Sequence, residues 1–270
     1  VYGDSDPTLT YSLSESVAVT GALARAAGSD VGSYAINLGT LSAGTNYELS
    51  LSTPVVNFAI TARPITVTAD AKHKVFGAPD PALTWQLTSG NLVGSDAVTG
   101  NLTRVAGEAV GSYAIQQGTL TAGSNYLLTY VGANLTIGAW TVMGFHQPVG
   151  VTNSLIVAGS APAPDPTTVW NVARGGSTVP LKFNVFAGSA EVTSAAVATY
   201  SATKLQSCLA GATDTVETDM LTSGSTSLRY SDGQWIQNWA TPKVNADTCY
   251  RATITFNDGT TLSAFFRLRK

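Results

Sequence analysis

Val31-Gly32-Ser33-Tyr34-Ala35-Ile36 returns later in the chain as Val110-Gly111-Ser112-Tyr113-Ala114-Ile115. Beyond it, Gly39-Thr40-Leu41-Ser42-Ala43-Gly44-Thr45-Asn46-Tyr47 returns as Gly118-Thr119-Leu120-Thr121-Ala122-Gly123-Ser124-Asn125-Tyr126. Ahead of it, Val1-Tyr2-Gly3 with Asp6-Pro7-x-Leu9-Thr10-Tyr11 returns as Val75-Phe76-Gly77 with Asp80-Pro81-x-Leu83-Thr84-Trp85. The early block recurs at an offset of 74 and the later block at 79, so the second copy has gained five residues. They fall within residues 86–97, rich in Ser, Gly and Asn, where a loop tolerates insertion. A kept framework with a varied loop is one fold used twice. Repeats of this size build arrays, which set distance or surface rather than run a reaction.

The chain has 270 residues, of which 44% are hydrophobic and only 11% charged. That length suits about two or three domains of ~100–150 residues. The charged fraction is well below the ~25% of an average globular domain. Thr, Ser, Ala, Gly, Val and Asn take its place, a mix that suits exposed strands and not solvent-facing helices. The net charge is -3 and no basic stretch occurs, so nucleic acid is not an expected partner. No apolar run approaches the ~18 residues that span a bilayer, and no membrane insertion is expected of this segment. No signal peptide opens the chain, and Val1 falls inside a repeat.

Strand periodicity recurs throughout, as in Ile65-Thr66-Val67-Thr68-Ala69 and Leu181-Lys182-Phe183-Asn184-Val185. The last hairpin is legible in register. A two-residue turn would place the apolar sets on opposite faces. A three-residue loop sets Ile254 opposite Leu262, Ala252 opposite Ala264 and Tyr250 opposite Phe266, on one face. That loop ends on a left-handed residue, and Gly259 accepts it.

The fold expected is all-β, with three β-sandwich-like modules in tandem, immunoglobulin-like or β-grasp-like. Repeat one covers residues 1–62, repeat two 63–138, and a C-terminal module 139–270. The Pro-rich stretch at 160–166 reads as a loop within that module. Residues 64–74 read as the opening strand of repeat two. Repeat one has no equivalent, because Val1 aligns with Val75. It is therefore expected to expose an unpaired edge: either the chain is a fragment of a longer protein, or a strand from a neighbouring chain fills the gap, with Val1, Tyr2 and Gly3 as the inter-subunit strand acceptor.

The two cysteines, Cys208 and Cys249, read as one disulfide rather than two buried thiols, given an even count in an extracellular-looking chain. They and the two histidines, His73 and His146, have no metal-ligand spacing. Asp4, Asp6 and Asp30 offer a calcium alternative to simple turn chemistry, although repeat two lacks the first of them. No cofactor is expected. No nucleophile elbow, phosphate-binding glycine pattern or distinguished carboxylate pair is present, so the chain does not read as an enzyme. Tyr34 and Tyr113 are expected to be buried, with a hydroxyl partner at the rim. Lys182 reads as outward-facing, an isopeptide bond being the bolder reading. Tyr230, Trp235 and Trp239 admit a sugar-stacking platform but read first as core.

The repeats resemble the bacterial MBG repeat of YGX type, through Tyr2-Gly3, Asp6-Pro7, Leu9-Thr10-Tyr11, Gly28, Val31-Gly32-x-Tyr34-x-Ile36, Gly39-Thr40-Leu41 and Asn46-Tyr47 with their partners. Phe76 departs from the motif Tyr. The C-terminal module resembles the bacterial PxKF domain through Pro180-Leu181-Lys182-Phe183, Gly144-Phe145-x-x-Pro148-Val149, Trp235-x-x-x-Trp239, Cys249-Tyr250 and Asp258-Gly259. The resemblance implies a secreted, modular, bacterial context and names no ligand. The function expected is a non-catalytic structural module of an extracellular cell-surface protein, an adhesin stalk or surface fibre or filament, with polymerisation by strand donation into repeat one. Its partners would be neighbouring copies or domains, or a glycan or host-surface ligand. The alternative is a carbohydrate-binding accessory module of a secreted hydrolase.

Overall fold

The computed structural model describes residues 1–150, 153–159, 163–194, 197–209, 214–219 and 228–270, with the backbone alone for 197, 198 and 214–219. All its regular elements are β-strands. Contacts group the chain into two compact units. One comprises Val1–Lys72, Ala82–Ala106 and Tyr113–Leu135; the other comprises His73–Pro81, Gly107–Ser112 and Thr136–Lys270.

Repeat one holds β1 (Ala24–Arg25), β2 (Gly32–Asn37) and β3 (Asn57–Ile60), which form one sheet in that order. Tyr34 stands opposite Phe58. Gly28 has φ +145°, and a Cβ there would sit 2.2 Å from the Tyr34 ring. Glycine is what lets the loop before β2 lie against that ring. Tyr34 and Tyr113 are half-buried rather than buried, and the Tyr34 hydroxyl donates to the Asp30 carbonyl at 2.7 Å.

Repeat two holds β4 (Arg63–Ala69), β5 (Lys72–Val75), β6 (Trp85–Ser89), β7 (Thr103–Arg104), β8 (Gly111–Gln116), β9 (Tyr126–Val131) and β10 (Asn134–Gly138). The alternating residues Ile65, Val67 and Ala69 are buried, as their period of two requires. Val67 and Ala69 pack with Leu102, Ile115, Leu120 and Leu135. β4 is central in its sheet, antiparallel to β6 and parallel to β9. The second sheet runs β5-β10-β8-β7.

The C-terminal module holds β11 (Thr141–His146), β12 (Leu155–Ala158), β13 (Trp170–Arg174), β14 (Thr178–Ala187), β15 (Ala190–Glu191), β16 (Val197–Leu205), β17 (Asp214–Asp219), β18 (Arg229–Ser231), β19 (Gln234–Ala240), β20 (Thr248–Phe256) and β21 (Thr260–Arg269). One sheet runs β11-β14-β19-β18 with β15 on β14; the other runs β12-β21-β20-β16-β17 with β13 on β21. Both contribute to one core. Phe183 of the first meets Phe256 of the second at 5.4 Å between ring centroids, and Trp239 meets Phe266 at 5.0 Å. This is a face-to-face sandwich.

The β20–β21 hairpin has the expected register, with Ile254 opposite Leu262, Ala252 opposite Ala264 and Tyr250 opposite Phe266. Gly259 has φ +86°. Pro180 lies inside β14, where a proline costs a ladder bond. It is tolerated because β11 pairs with β14 only from Lys182 onward, which leaves Pro180 a partner on the β19 side alone. Of the Pro-rich stretch, residues 160–162 lie outside the described residues, and 163–166 form no strand.

Candidate assembly site: module junctions and an open sheet edge

Tyr2 is held at four points within the first unit. Its backbone N–H donates to the Thr61 carbonyl at 2.9 Å. Its carbonyl accepts the Arg63 Nε–H at 2.7 Å. Its ring meets Tyr126 edge-on, 5.5 Å between centroids at 77°. Both hydroxyls donate to Asp96 Oδ2, from Tyr2 at 3.0 Å and from Tyr126 at 2.6 Å. The hydrogen bond to the Asp96 carboxylate holds the Tyr2 hydroxyl above its ordinary pKa. Burial raises Tyr126 first, and Asp96 adds to it. Arg63 also reaches Asp4 and, at 3.2 Å, Asn91 Oδ1. Asn125 completes the junction, accepting the Val31 N–H at 2.9 Å and donating to Asp30 Oδ1 at 2.8 Å.

The arrangement recurs within the second unit. The Phe76 N–H donates to the Gly138 carbonyl at 2.9 Å, and the Phe76 carbonyl accepts the Trp140 Nε1–H at 3.0 Å. The rings meet edge-on, 5.3 Å apart at 84°. Arg63 and Trp140 are equivalent positions, following Ile60-Thr61-Ala62 and Ile137-Gly138-Ala139. The Trp140 N–H donates to Asp258 Oδ2 at 2.6 Å. Asp258 is fixed in turn by the Thr260 N–H at 2.9 Å and hydroxyl at 3.0 Å. Beside Phe76, the buried Lys74 ammonium donates to Asp80 at 2.6 Å and Glu108 at 2.5 Å, and these bonds raise its pKa.

The counterparts of β6 and β9 in repeat one, residues 11–15 and 47–52, are not strands, and β3 is the last strand of its sheet. Tyr11 and Tyr47 are exposed there. A cavity of about 480 Å³ lies beside β3, lined among others by Val1, Tyr2, Gly3, Asp6, Phe58 and Ile60. Val1, Tyr2 and Gly3 thus line this cavity.

Cys208 and Cys249 form a disulfide with a Cα–Cα distance of 5.4 Å, packed in a satellite cluster with Leu205, Phe265 and Trp170. The aromatics named for a stacking platform lie in or beside the C-terminal core. Trp235 and Trp239 are 6% and 1% exposed, and Trp235 Nε1–H donates to the Val192 carbonyl at 2.6 Å. The half-buried Tyr230 is tied to Glu191 at 2.7 Å and lies edge-on to Trp235. Trp235 and Trp239 belong to the core between the sheets, and Tyr230 packs against it.

The three carboxylates of the calcium alternative have protein partners. Asp4 pairs with Arg63, Asp6 with Arg25 at 2.6 Å, and Asp30 accepts from Asn125. The Arg25 hydrogen bond holds the Asp6 carboxyl below its usual range. Among the described residues no group of three or more His, Cys, Asp or Glu is placed to hold a metal ion. Lys182 sits on the half-buried outer face between core-facing Leu181 and Phe183.

Several residues of the site escaped sequence reasoning. Arg25 lies over the Tyr34 ring at 4.9 Å and Phe58 at 5.0 Å, and Arg104, its counterpart at the 79-residue offset, lies over Tyr113 at 5.5 Å. The repeat offset was the available signal. Asp96 falls in the inserted loop and carried no signal. Asp258 reads only as a turn residue.

The two repeats match the MBG domain of YGX type, over residues 1–55 and 65–136. The matched segments include Tyr2 and Phe76, the motif aromatics of the two junctions. MBG domains are structural repeat modules without enzymatic activity. Among curated proteins, none matches the chain. No helix among the described residues is long and apolar enough to cross a membrane.

Proposed function

We propose that the chain is a non-catalytic structural section of a bacterial cell-surface or secreted protein, an adhesin stalk or surface fibre. The observation that carries this reading is the duplicated junction. The residue opening each following segment, Arg63 or Trp140, donates to the carbonyl of the preceding motif aromatic, Tyr2 or Phe76. Each motif aromatic also meets a second ring edge-on. The same donor-to-carbonyl bond used twice along the chain suits a tandem array of structural modules. The C-terminal module is read as a PxKF-type domain, supported by Pro180, Lys182 and Phe183 on β14 and by Cys249 and Tyr250 on β20. Its disulfide suits an oxidising, extracellular setting. Repeat one is read as the acceptor of a strand from a neighbouring module or copy.

The test is antibody labelling of intact cells that express the full native protein, with surface shaving by protease. Labelling and shaving of the antigen are expected. An antigen found only in the cytosolic fraction would sink the reading.

A further inference from the structure

Four side chains stand in one row across the first sheet of the C-terminal module. His146 on β11 lies opposite Lys182 on β14, Lys182 opposite Ile236 on β19, and Ile236 opposite Arg229 on β18. Directly opposed residues share one face of a sheet. Their chain neighbours Phe145, Phe183, Trp235 and Tyr230 pack in or against the core, so the row lies on the outer face. Three of the four are basic types, in a chain of net charge -3. Among the described residues no carboxylate pairs with Lys182 or Arg229, and Arg229 Nη1 is buried with no hydrogen-bond partner. A buried guanidinium N–H left unsatisfied is costly, and an anion relieves that cost. Glu191 shares this face, opposite Phe186, but is already engaged. It accepts from Asn184 Nδ2 and, at 2.7 Å, from the Tyr230 hydroxyl. Asn184 Nδ2 also donates to the Gly233 carbonyl at 2.6 Å. With those hydrogens committed, Asn184 Oδ1 accepts from His146 Nε2 at 2.6 Å. The imidazole is thereby oriented, with Nδ1 left for a ligand.

We infer that this row binds a linear acidic polysaccharide, a uronate polymer laid across the strands. Its carboxylates take Lys182 and Arg229, a sugar ring lies on Ile236 between them, and His146 Nδ1 receives a hydroxyl. The site is additional to the scaffold role and does not depend on it. Lys182 and Arg229 are two strands apart, about 9–10 Å. In a β-1,4-linked uronate polymer of two-fold twist, carboxylates on one side recur once per disaccharide, at about that separation. Like-facing residues of an extended acidic peptide recur at about 7 Å and fit it less well. Such a peptide also gains most by joining a sheet edge. Here β14 and β19 spend their backbone groups on each other, so recognition falls to side chains. An anionic membrane is drawn to projecting clusters of about four to eight basic residues. These side chains are fewer and half-buried. The planar Arg229 guanidinium suits a carboxylate held by two parallel hydrogen bonds.

The probe is oligomannuronate, added to the full chain at low ionic strength and followed by calorimetry and by NMR. Binding is expected, with shifts at the His146 ring, the Ile236 methyls and the Arg229 guanidinium. The methyl-esterified oligomer, which keeps the sugar and loses the charge, should not bind. Lys182→Gln and Arg229→Gln should each weaken binding about tenfold, as for loss of a charged hydrogen bond. Urea unfolding checks that each variant is folded, and the shift map of the wild type locates the site without any variant. No binding at large excess, shifts confined to other faces, or equal binding of the ester overturns the inference. Full affinity in folded Lys182→Gln and Arg229→Gln also overturns it. Equal binding of polyglutamate, or of phosphatidylglycerol vesicles, would show that the row reads charge alone and would overturn the assignment to a uronate polymer.

Discussion

Arg63 donates its Nε–H to the backbone carbonyl of Tyr2 at 2.7 Å. Trp140, in the equivalent position after the next repeat, does the same for Phe76 with its indole N–H at 3.0 Å. Two chemically unlike side chains, a guanidinium and an indole, serve one geometric task. What the junction selects is a planar N–H donor long enough to reach the carbonyl of a motif aromatic. Each donor is then held by a second contact. Arg63 engages Asp4, and the Trp140 ring lies against Phe76.

The Phe76–Trp140 contact is expected to be energetically coupled. Edge-on aromatic pairs contribute about 0.5–1.5 kcal/mol beyond the area they bury. A double-mutant cycle of Phe76→Leu and Trp140→Leu, read by urea unfolding, should return a coupling in that range. Additive single effects would mean that the rings are neighbours without a specific interaction.

The Asp96 carboxylate should shift two tyrosines unequally. Tyr2 is raised chiefly by its hydrogen bond to Asp96, whereas Tyr126 is raised first by burial. Both folded values lie above the unfolded one. Their contribution to stability is therefore complete below about pH 10 and is lost as pH rises through the folded values. Asp96→Asn should bring Tyr2 down further than Tyr126 and weaken this alkaline dependence. NMR titration of ring-labelled tyrosine measures both, and equal shifts would contradict the assignment of causes.

Much of the fold is legible because its rules are local. The β20–β21 register follows from requiring Ile254 and Leu262 to share a face, and Gly259 supplies the left-handed turn residue. The burial of Ile65, Val67 and Ala69 follows from alternation. What escaped was non-local. The repeat comparison does not reveal that residues 11–15 and 47–52 are not strands although their counterparts β6 and β9 are, since strand pairing depends on neighbours as well as on composition. Phe265 reads as the solvent side of β21, yet β13 and the disulfide cover it. Arg25 reads as a surface residue until Tyr34, Phe58 and Asp6 converge on it.

Trp239 should act as a core residue and not as a ligand contact. It is 1% exposed and packs edge-on against Tyr250 and Phe266. Trp239→Ala is expected to cost about 3–5 kcal/mol, the range for truncating a buried aromatic. Circular dichroism during urea unfolding measures the loss. Polysaccharide pull-down should be the same for wild type and variant under folding conditions. Retention of wild type on a glycan resin, abolished in a still-folded Trp239→Ala, would restore a carbohydrate-binding role.

Cys208 and Cys249 tie the segment after β16 to the start of β20, with a sequence separation of 41. A loop of that length constrains the unfolded chain by about 4 kcal/mol in the chain-entropy model. Cys249 is buried against Leu205 and Phe265, so serine at that position would add the cost of an unpaired hydroxyl. The double variant Cys208→Ala with Cys249→Ala isolates the crosslink from that cost. It should lower the unfolding free energy of the C-terminal module by about 4 kcal/mol, read from the near-ultraviolet circular dichroism of Trp235 and Trp239 in urea. Reduction of wild type with dithiothreitol should be slow under native conditions and give the same loss once complete. A double variant as stable as oxidised wild type would mean that strand pairing across β16 and β20 already supplies the constraint.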